Sequence, residues 1–186
     1  DLESCPVERI VPEGIVHAGQ LASFDMIVCA TGFDAITGAA LQIDIMGQDG
    51  VSLREYWRNG PRSYLGLTMA EFPNLFLITG PGSPSVLSHV LMSIEQHVEW
   101  VSELLLHMRL AGRSEVRTMM KAQCDWVRHV DEVAKATLFN EAQSWYSGAN
   151  VPGKNRVFMP YVGGAHRYRA HCNQVAAKGY VGFMFT

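Results

Sequence analysis

The side chains that could carry out chemistry on their own are the histidines, cysteines and carboxylates, and in this 186-residue chain they form no known catalytic set. The seven histidines include no HExxH pair, the serines form no GxSxG elbow, and the four cysteines lie far apart with no CxxC pair. We therefore expect no metal site, and we expect His89 and His97 to be surface or capped histidines. The cysteine spacing leaves disulfide bonds open. If the protein catalyses a reaction, a bound cofactor must supply the difficult chemistry.

Two loops that contain glycine could approach such a cofactor closely. The first, ATGFD at residues 30–34, follows an apolar run and lies where open α/β sheets bind ligands, with an ordinary tight turn as the alternative. The second, GPGSPS at residues 80–85, leads into a helical pattern. There Gly80 and Gly82 would allow close backbone approach, and free helical N–H groups would favour electron-rich atoms. Because this loop lacks the full GxGxxG and phosphate-loop patterns, a flavin oxygen would fit as well as a diphosphate. A plain strand-to-helix connection also remains open.

The elements that must position these loops form an α/β pattern. A hairpin is predicted over residues 7–17, a buried strand of the parallel type over 26–30, a second strand over 74–79 and a short strand over 156–159. Helices are predicted from Ser88 or Ser93 to just before Gly112, over residues 121–138, and over 166–178 with a stop at Gly179. The long helix is indicated by apolar residues at a 3.6-residue period, namely Leu87, Val90, Leu91, Ile94, Val98, Val101, Leu105 and Met108.

One further loop, residues 144–154, is rich in turn formers yet carries two large aromatic side chains. Loops usually contain few such side chains. We therefore expect Trp145 and Tyr146 either to dock onto the core or to line a pocket.

The composition excludes several classes of protein. Hydrophobic residues make up 48% and charged residues 18%, against about 25% charged in an average soluble domain, which excludes disorder. A net charge of −3 provides no electrostatic surface for nucleic acid or for an anionic membrane. No apolar run approaches the ~20 residues of a membrane span, and the first residues do not form a signal peptide. We expect a cytoplasmic protein that binds small molecules and neither nucleic acid nor membrane.

A series of phrases along the chain resembles the C-terminal part of type I Baeyer–Villiger monooxygenases, the family that includes cyclohexanone and phenylacetone monooxygenases. The phrases are ATGFD (30–34), GPRSYLG (60–66), FPNLF (72–76), GPGSPS (80–85), SIEQHVEW (93–100), SWY (144–146), GANVPGK (148–154) and YVGG (161–164). The resemblance implies an α/β fold, namely the C-terminal portion of a Rossmann-like flavoprotein with two dinucleotide-binding domains and several helices after the last core strand. It also implies that residues 1–35 complete the NADP-binding domain and that residues 36–186 form the second half of the FAD-binding domain.

The family resemblance implies an enzyme that uses FAD, NADPH and O2 to convert ketones to esters or lactones, and that also oxidises sulfides. Trp145 would contact the nicotinamide nucleotide, and the helix start at His89 and Val90 would touch the flavin. Relatives often carry Met where Val90 stands. The remaining implied residues are Thr31, Gly32, Gly80 and Gly82 for cofactor binding, and Ser85, Val86 and Leu87 for a bulge on the substrate side.

Several family features are missing from the sequence. These are two GxGxxG loops, the FxGxxxHxxxW/D fingerprint and an arginine that assists the flavin chemistry, all of which lie N-terminal to the matched part in the family. We therefore expect a fragment whose partner is the missing N-terminal part of the same protein, and which alone binds FAD poorly and catalyses nothing. The alternatives are an N-hydroxylating or sulfide-oxidising flavin monooxygenase, and a non-catalytic nucleotide-binding module.

Overall fold

The computed structural model describes residues 4–30, 32–142 and 144–186, and the chain divides into two compact units, Asp1–Gly32 and Phe33–Thr186. The first unit contains a three-stranded antiparallel sheet in the order β1 (Arg9–Val11), β2 (Gly14–His17) and β3 (Gln20–Ser23). The predicted hairpin is thus confirmed, and a third strand extends it. The assignment of residues 1–35 and 36–186 to two nucleotide-binding domains stays a prediction.

The strand predicted over residues 26–30 is wrong for this chain. The segment forms no ladder, and Met26 and Val28 are each 78% exposed. A strand of a parallel sheet needs hydrogen-bonded neighbours and a cover on both faces. Among the described residues no strand pairs with this segment, so its apolar side chains lie in solvent.

The second unit is mainly helical, with one small antiparallel sheet that the sequence did not predict. Its elements are α1 (Gly38–Leu41), α2 (Leu53–Tyr56), α3 (Val90–Leu110), β4 (Val116–Thr118), α4 (Met120–Lys135), α5 (Ala165–Ala177) and β5 (Phe183–Phe185), with β4 paired to β5. Single 3-10 turns occur at Gln48–Gly50, Ser85–Leu87, Leu138–Glu141 and Trp145–Ser147. The helices predicted over 121–138 and 166–178 are confirmed within three residues at each end.

The strands predicted over 74–79 and 156–159 form no ladder with the described residues, and the first segment has a turn at Asn74 and a bend at Thr79. Each makes isolated backbone bonds instead. The amide of Leu77 donates to the Leu67 carbonyl at 2.7 Å, and the amide of Met159 donates to the Tyr146 carbonyl at 2.9 Å. These segments are therefore held by loops rather than by neighbouring strands.

The long helix α3 begins at Val90, so neither Ser88 nor Ser93 is its N-cap, and Gly112 with φ +65° follows its end as predicted. Of the apolar residues at helical spacing, Met108 is buried and Val101 packs partly buried against the main core, but others are exposed. Leu91 is 65% exposed and Val98 48%. The buried face comprises Ser93, His97, Trp100, Leu104 and Met108. It packs into the main core with side chains of α4, α5 and β5, including Trp126, Tyr168, Cys172 and Phe183.

A second, smaller core surrounds Leu53, Tyr56 and Met69. All four cysteines lie in the described part of the chain and none forms a disulfide bond. Within the described ranges, no helix is both long enough and apolar enough to cross a membrane.

Candidate functional site

The loop that carries Gly80 and Gly82 is tied to two other parts of the second unit. The amide of Gly80 donates to the Gly66 carbonyl at 3.1 Å, and the amide of Gly82 donates to the Met159 carbonyl at 2.7 Å. A Cβ at position 80 would lie 2.6 Å from the Gly66 oxygen. Gly82 has φ +86°, and a Cβ there would lie 3.1 Å from Trp126 Nε1. Both glycines are therefore required by contacts within the chain, whatever the loop binds.

The loop continues through a strained turn into α3. Ser85 is buried and has φ +44°, a conformation that costs an L-residue energy and that clusters at functional sites. Val86 is 40% exposed and Leu87 half-buried, so the 3-10 turn Ser85–Leu87 presents apolar surface. The family resemblance implies a bulge on the substrate side at these residues, and that role stays a prediction.

The start of α3 has no side-chain cap. His89 occupies the N-cap position without a capping hydrogen bond, and the Ser88 hydroxyl is instead 2.8 Å from that of Ser93. The first N–H groups of an α-helix have no intrahelical acceptor, so they are available to an electron-rich ligand.

A cavity of about 340 Å³ lies at this helix start, between α3 and α5. It is lined by Ser88, His89, Met92, Ser93 and Gln96 from the α3 end and by Ala165, His166 and Arg169 from α5. The Nε2 atom of Gln96 is buried and has no hydrogen-bond acceptor among the residues that the structure describes. Buried donors without a partner are costly, so a ligand that offers oxygen acceptors suits this cavity. A flavin, with its carbonyl oxygens, is such a ligand, and the residues present fit it.

The indole of Trp145 does not line this cavity. Ser144 caps its 3-10 turn by accepting from the Tyr146 amide at 3.2 Å. The Trp145 ring is half-buried and lies over the Tyr146 ring, with 4.1 Å between centroids. Trp145 lines neither the cavity at α3 nor the other three principal cavities. The expectation was that this aromatic pair docks onto the core or lines a pocket, and at Trp145 the structure instead shows packing on the neighbouring Tyr146 ring.

The first glycine loop, residues 30–34, is divided between the two compact units, because the first unit ends at Gly32. Thr31 lies outside the described residues, and Gly32 is exposed with φ +76°. Gly32 ends the first unit, whereas the remaining implied site residues lie in the second. The structure thus brings together Gly80, Gly82, Ser85, Val86, Leu87, His89 and Val90 in one continuous stretch.

His97 is a residue whose importance the sequence did not indicate. It is fully buried rather than on the surface, and its Nδ1 accepts from the Thr79 amide at 2.9 Å. Its Nε2 lies 2.8 Å from the Tyr168 hydroxyl. Burial lowers the pKa of His97 to about 4, so the ring is neutral at pH 7. The 3- and 4-residue spacing of Ser93, His97 and Trp100 was the signal that could have identified this face.

A second missed feature joins the phrases ATGFD and GANVPGK. The Lys154 ammonium donates to the Asp34 carboxylate, 120 positions away, and to Thr37 Oγ1 at 2.6 Å. The Thr37 hydroxyl in turn donates to Asp34 at 2.9 Å. The Asn150 amide donates to the Phe33 carbonyl at 3.1 Å. The loop that carries Trp145 is thereby anchored next to residues 33–37, beside a cavity of about 300 Å³.

The largest of the principal cavities, about 350 Å³, also involves the glycine loop. Pro81 and Gly82 line one part of it, and Trp126, Val130 and Phe158 supply apolar wall. No group of three or more metal-ligating side chains occurs among the described residues.

Comparison with known proteins gives matches along the whole chain. It is 35% identical over 184 residues to cyclohexanone 1,2-monooxygenase from Acinetobacter sp., covering 98% of this chain and 34% of that protein. It is 41% identical over 183 residues to acetone monooxygenase (methyl acetate-forming) from Gordonia sp., covering 97% and 34%. A phenazine N-monooxygenase from Lysobacter antibioticus is 34% identical over 180 residues, covering 96% and 33%. No protein-family model matches the chain.

Solved structures agree with the sequence matches. A closed crystal structure of cyclohexanone monooxygenase matches with a TM-score of 0.93 and 38% identity, covering 100% of this chain and 35% of that one. An oxidised steroid monooxygenase bound to NADP matches with a TM-score of 0.88 and 43% identity, covering 100% and 34%. The chain thus spans about one third of the proteins it matches.

Sequence and fold together define the class: the chain is part of a flavin-dependent monooxygenase, and the predicted α/β flavoprotein fold class is confirmed. Within that class it is a segment of a Baeyer–Villiger monooxygenase, as the resemblance implied.

Proposed function

We propose that this chain works as part of an FAD- and NADPH-dependent Baeyer–Villiger monooxygenase that converts ketones to esters or lactones with O2, and that also oxidises sulfides. One observation within the structure carries the proposal. At the start of α3, an uncapped helix N-terminus and the unpartnered Gln96 Nε2 border one cavity, in the segment where the resemblance implies flavin contact.

In this proposal the flavin, when bound, supplies the activated oxygen that is inserted next to the ketone carbonyl. The N–H groups at His89 and Val90 donate to acceptor atoms of the cofactor, because those amides have no partner within the helix. Gly80 and Gly82 allow the loop backbone to adopt the conformation that brings these amides to the cofactor. Ser85, Val86 and Leu87 line the substrate side of the site and exclude water from the substrate.

The nicotinamide nucleotide is assigned to the Trp145 segment, and Thr31 and Gly32 stay proposed cofactor-binding residues of the other unit. An indole provides a flat apolar face on which a ribose or an amide packs. Trp145 lies in the anchored loop and outside the α3 cavity, so in this proposal the nucleotide reaches it from another side than the flavin does.

The decisive experiment uses the complete protein that contains this chain. NADPH oxidation is measured with a panel of cyclic, linear and aryl ketones and a sulfide, and products are identified by gas chromatography–mass spectrometry. Ester or lactone formation with one NADPH consumed per product supports the proposal. NADPH oxidation that yields peroxide alone with every ketone contradicts it.

The N-oxidising alternative keeps one specific observation in its favour, the phenazine N-monooxygenase among the relatives. Phenazine therefore belongs in the same panel, and N-oxide formation without ester formation would favour that alternative. Absence of bound flavin in the complete protein would favour a non-catalytic module.

Two further parts of the proposal concern the chain alone and its location. We propose that the isolated chain binds FAD poorly and is inactive. Purification of the isolated chain with one yellow flavin per polypeptide would contradict this. A cytoplasmic location is tested by cell fractionation of the complete protein, and recovery in a membrane or secreted fraction would be against it.

A further inference from the structure

A chain of hydrogen bonds in the main core ends at the glycine loop. His97, on the buried face of α3, contacts the Thr79 amide through Nδ1 and the Tyr168 hydroxyl through Nε2, at 2.9 and 2.8 Å. The Tyr168 hydroxyl also lies 2.6 Å from the Leu65 carbonyl. His97 and Tyr168 are at most 1% exposed, so water does not replace these bonds.

The chemistry of the partners fixes every proton in this chain. A backbone amide can only donate, so His97 Nδ1 accepts and carries no proton. The neutral ring therefore carries its proton on Nε2 and donates it to Tyr168. The Leu65 carbonyl can only accept, so the Tyr168 hydroxyl donates to it while accepting from His97. Each donor has one acceptor, and the network is fully satisfied.

The Thr79 end of this network is a bend that needs support. Thr79 has φ +56°, which is unfavourable for a β-branched residue, and it immediately precedes Gly80. Its own hydroxyl donates to the Ile78 carbonyl at 2.7 Å. The imidazole is thus the acceptor that holds the Thr79 amide while the backbone is in this conformation.

We propose that His97 is a positioning residue that fixes the bend at Thr79 and thereby the course of the 80–90 loop, a role that rests on the proposed flavin contact of that loop. An apolar side chain of similar size at position 97 would leave the Thr79 amide and the Tyr168 hydroxyl without their partner. An asparagine could retain the acceptor, because its Oδ1 and the imidazole Nδ1 are both bonded to Cγ.

The test uses three variants of the complete protein: His97→Leu, His97→Asn and Tyr168→Phe. Hydrogen–deuterium exchange is followed in peptides covering residues 79–90 and, for comparison, in α4. We expect His97→Leu to speed exchange in residues 79–90 about tenfold, the effect of one lost buried acceptor, with α4 unchanged. His97→Asn should restore most of the protection. Tyr168→Phe is the matched control, since it removes one link but leaves the contact between His97 and Thr79.

The dissociation constant for FAD, measured by flavin fluorescence, provides the functional readout. It should rise about tenfold in His97→Leu and stay close to the original value in Tyr168→Phe. Equal loosening of residues 79–90 in His97→Leu and Tyr168→Phe would show that His97 only packs the core. If His97→Leu fails to fold, His97→Asn decides: exchange as slow as in the unmodified protein supports the inference, and exchange about tenfold faster overturns it.

The exchange measurement separates this inference from the proposed function. Slow exchange at residues 79–90 that depends on the acceptor at position 97 supports the positioning role even if no ketone is oxidised. Ketone oxidation together with unchanged exchange in all three variants would contradict the positioning role alone.

Discussion

The ion pair of Lys154 with Asp34 offers a quantitative test of how the Trp145 loop is anchored. The two side chains are 16% and 26% exposed, and Thr37 Oγ1 lies 2.6 Å from the ammonium. The Lys154 stem also packs over Gly148, where a Cβ would lie 2.9 Å from Lys154 Cδ. Substitution of Lys154→Met keeps much of this apolar stem and removes the charge together with its hydrogen bonds.

The expected magnitude lies between two limits. An exposed pair contributes at most ~1 kcal/mol, and removal of one partner from a fully buried pair costs roughly 3–5 kcal/mol. Lys154 and Asp34 are mostly but not fully buried, and partial solvent screening lowers the upper limit. We therefore expect Lys154→Met to cost about 2 kcal/mol in the opening of the loop. This corresponds to exchange of its amides that is about thirtyfold faster.

The assay is hydrogen–deuterium exchange of residues 144–159 in the complete protein, where the amides of Val157 and Met159 bond back to Ser147 and Tyr146. The matched control is Lys135→Met, which removes an exposed pair with Asp131, 67% and 55% exposed. The control should leave exchange in the loop unchanged.

A double-mutant cycle with Asp34→Asn isolates the pair itself. We expect the effects of Lys154→Met and Asp34→Asn to be strongly non-additive, because either substitution alone already breaks the pair. Additive effects, or a Lys154→Met effect no larger than that of Lys135→Met, would refute the anchoring argument.

Three further predictions follow from the site. In the complete enzyme, Trp145→Ala should raise KM for NADPH about tenfold and release peroxide, because an aromatic packing face is lost; unchanged NADPH kinetics and coupling would count against the nucleotide assignment. Gly80→Ala and Gly82→Ala should each lower flavin content and melting temperature, since a Cβ would approach the Gly66 oxygen to 2.6 Å or Trp126 Nε1 to 3.1 Å; full flavin content in both variants would contradict this. For His97, whose pKa falls from 6.5 to about 4 on burial, the unfolded state binds the proton more readily. The contribution of His97 to the free energy of unfolding is therefore fully present above pH 6.5. It falls by up to about 1.4 kcal/mol per pH unit as the pH drops toward 4. The unfolding midpoint is measured against pH for the original protein and for His97→Asn. If both midpoints change equally with pH between 6.5 and 4, this would argue against a neutral buried ring.

Local signals in the sequence predicted the local elements well. The hairpin at residues 7–17, the helix from 166 to 178 and the stop at Gly179 depend on turn formers and short-range periodicity, which act within a few residues. The loop at 80–85 does lead into the long helix as predicted, and contacts within the chain explain its glycines, whereas their role in ligand binding stays a prediction.

The predicted parallel strand at 26–30 failed for a different physical reason. The apolar run at 26–30 is typical of a strand covered on both faces, a pattern that reflects its neighbours rather than the segment itself. This chain spans about 34% of the length of its relatives, and the described residues include no partner strand for the run. A pattern of this kind can be recognised in a segment, whereas the ladder forms only when the neighbouring strands are present.

The orientation of α3 shows why hydrophobicity alone could not identify the buried face. The helix carries two apolar stripes, one with Leu91, Val98 and Leu105 and the other with Trp100, Leu104 and Met108. The first is exposed, and the second is buried together with the polar His97. Burying a polar group is favourable only where it has partners, and here both are present: His97 bonds to Thr79 and Tyr168, and Trp100 Nε1 donates to the Cys172 carbonyl at 3.0 Å. The face is therefore selected by polar partners distant in sequence, and those partners place the residue that holds the glycine loop.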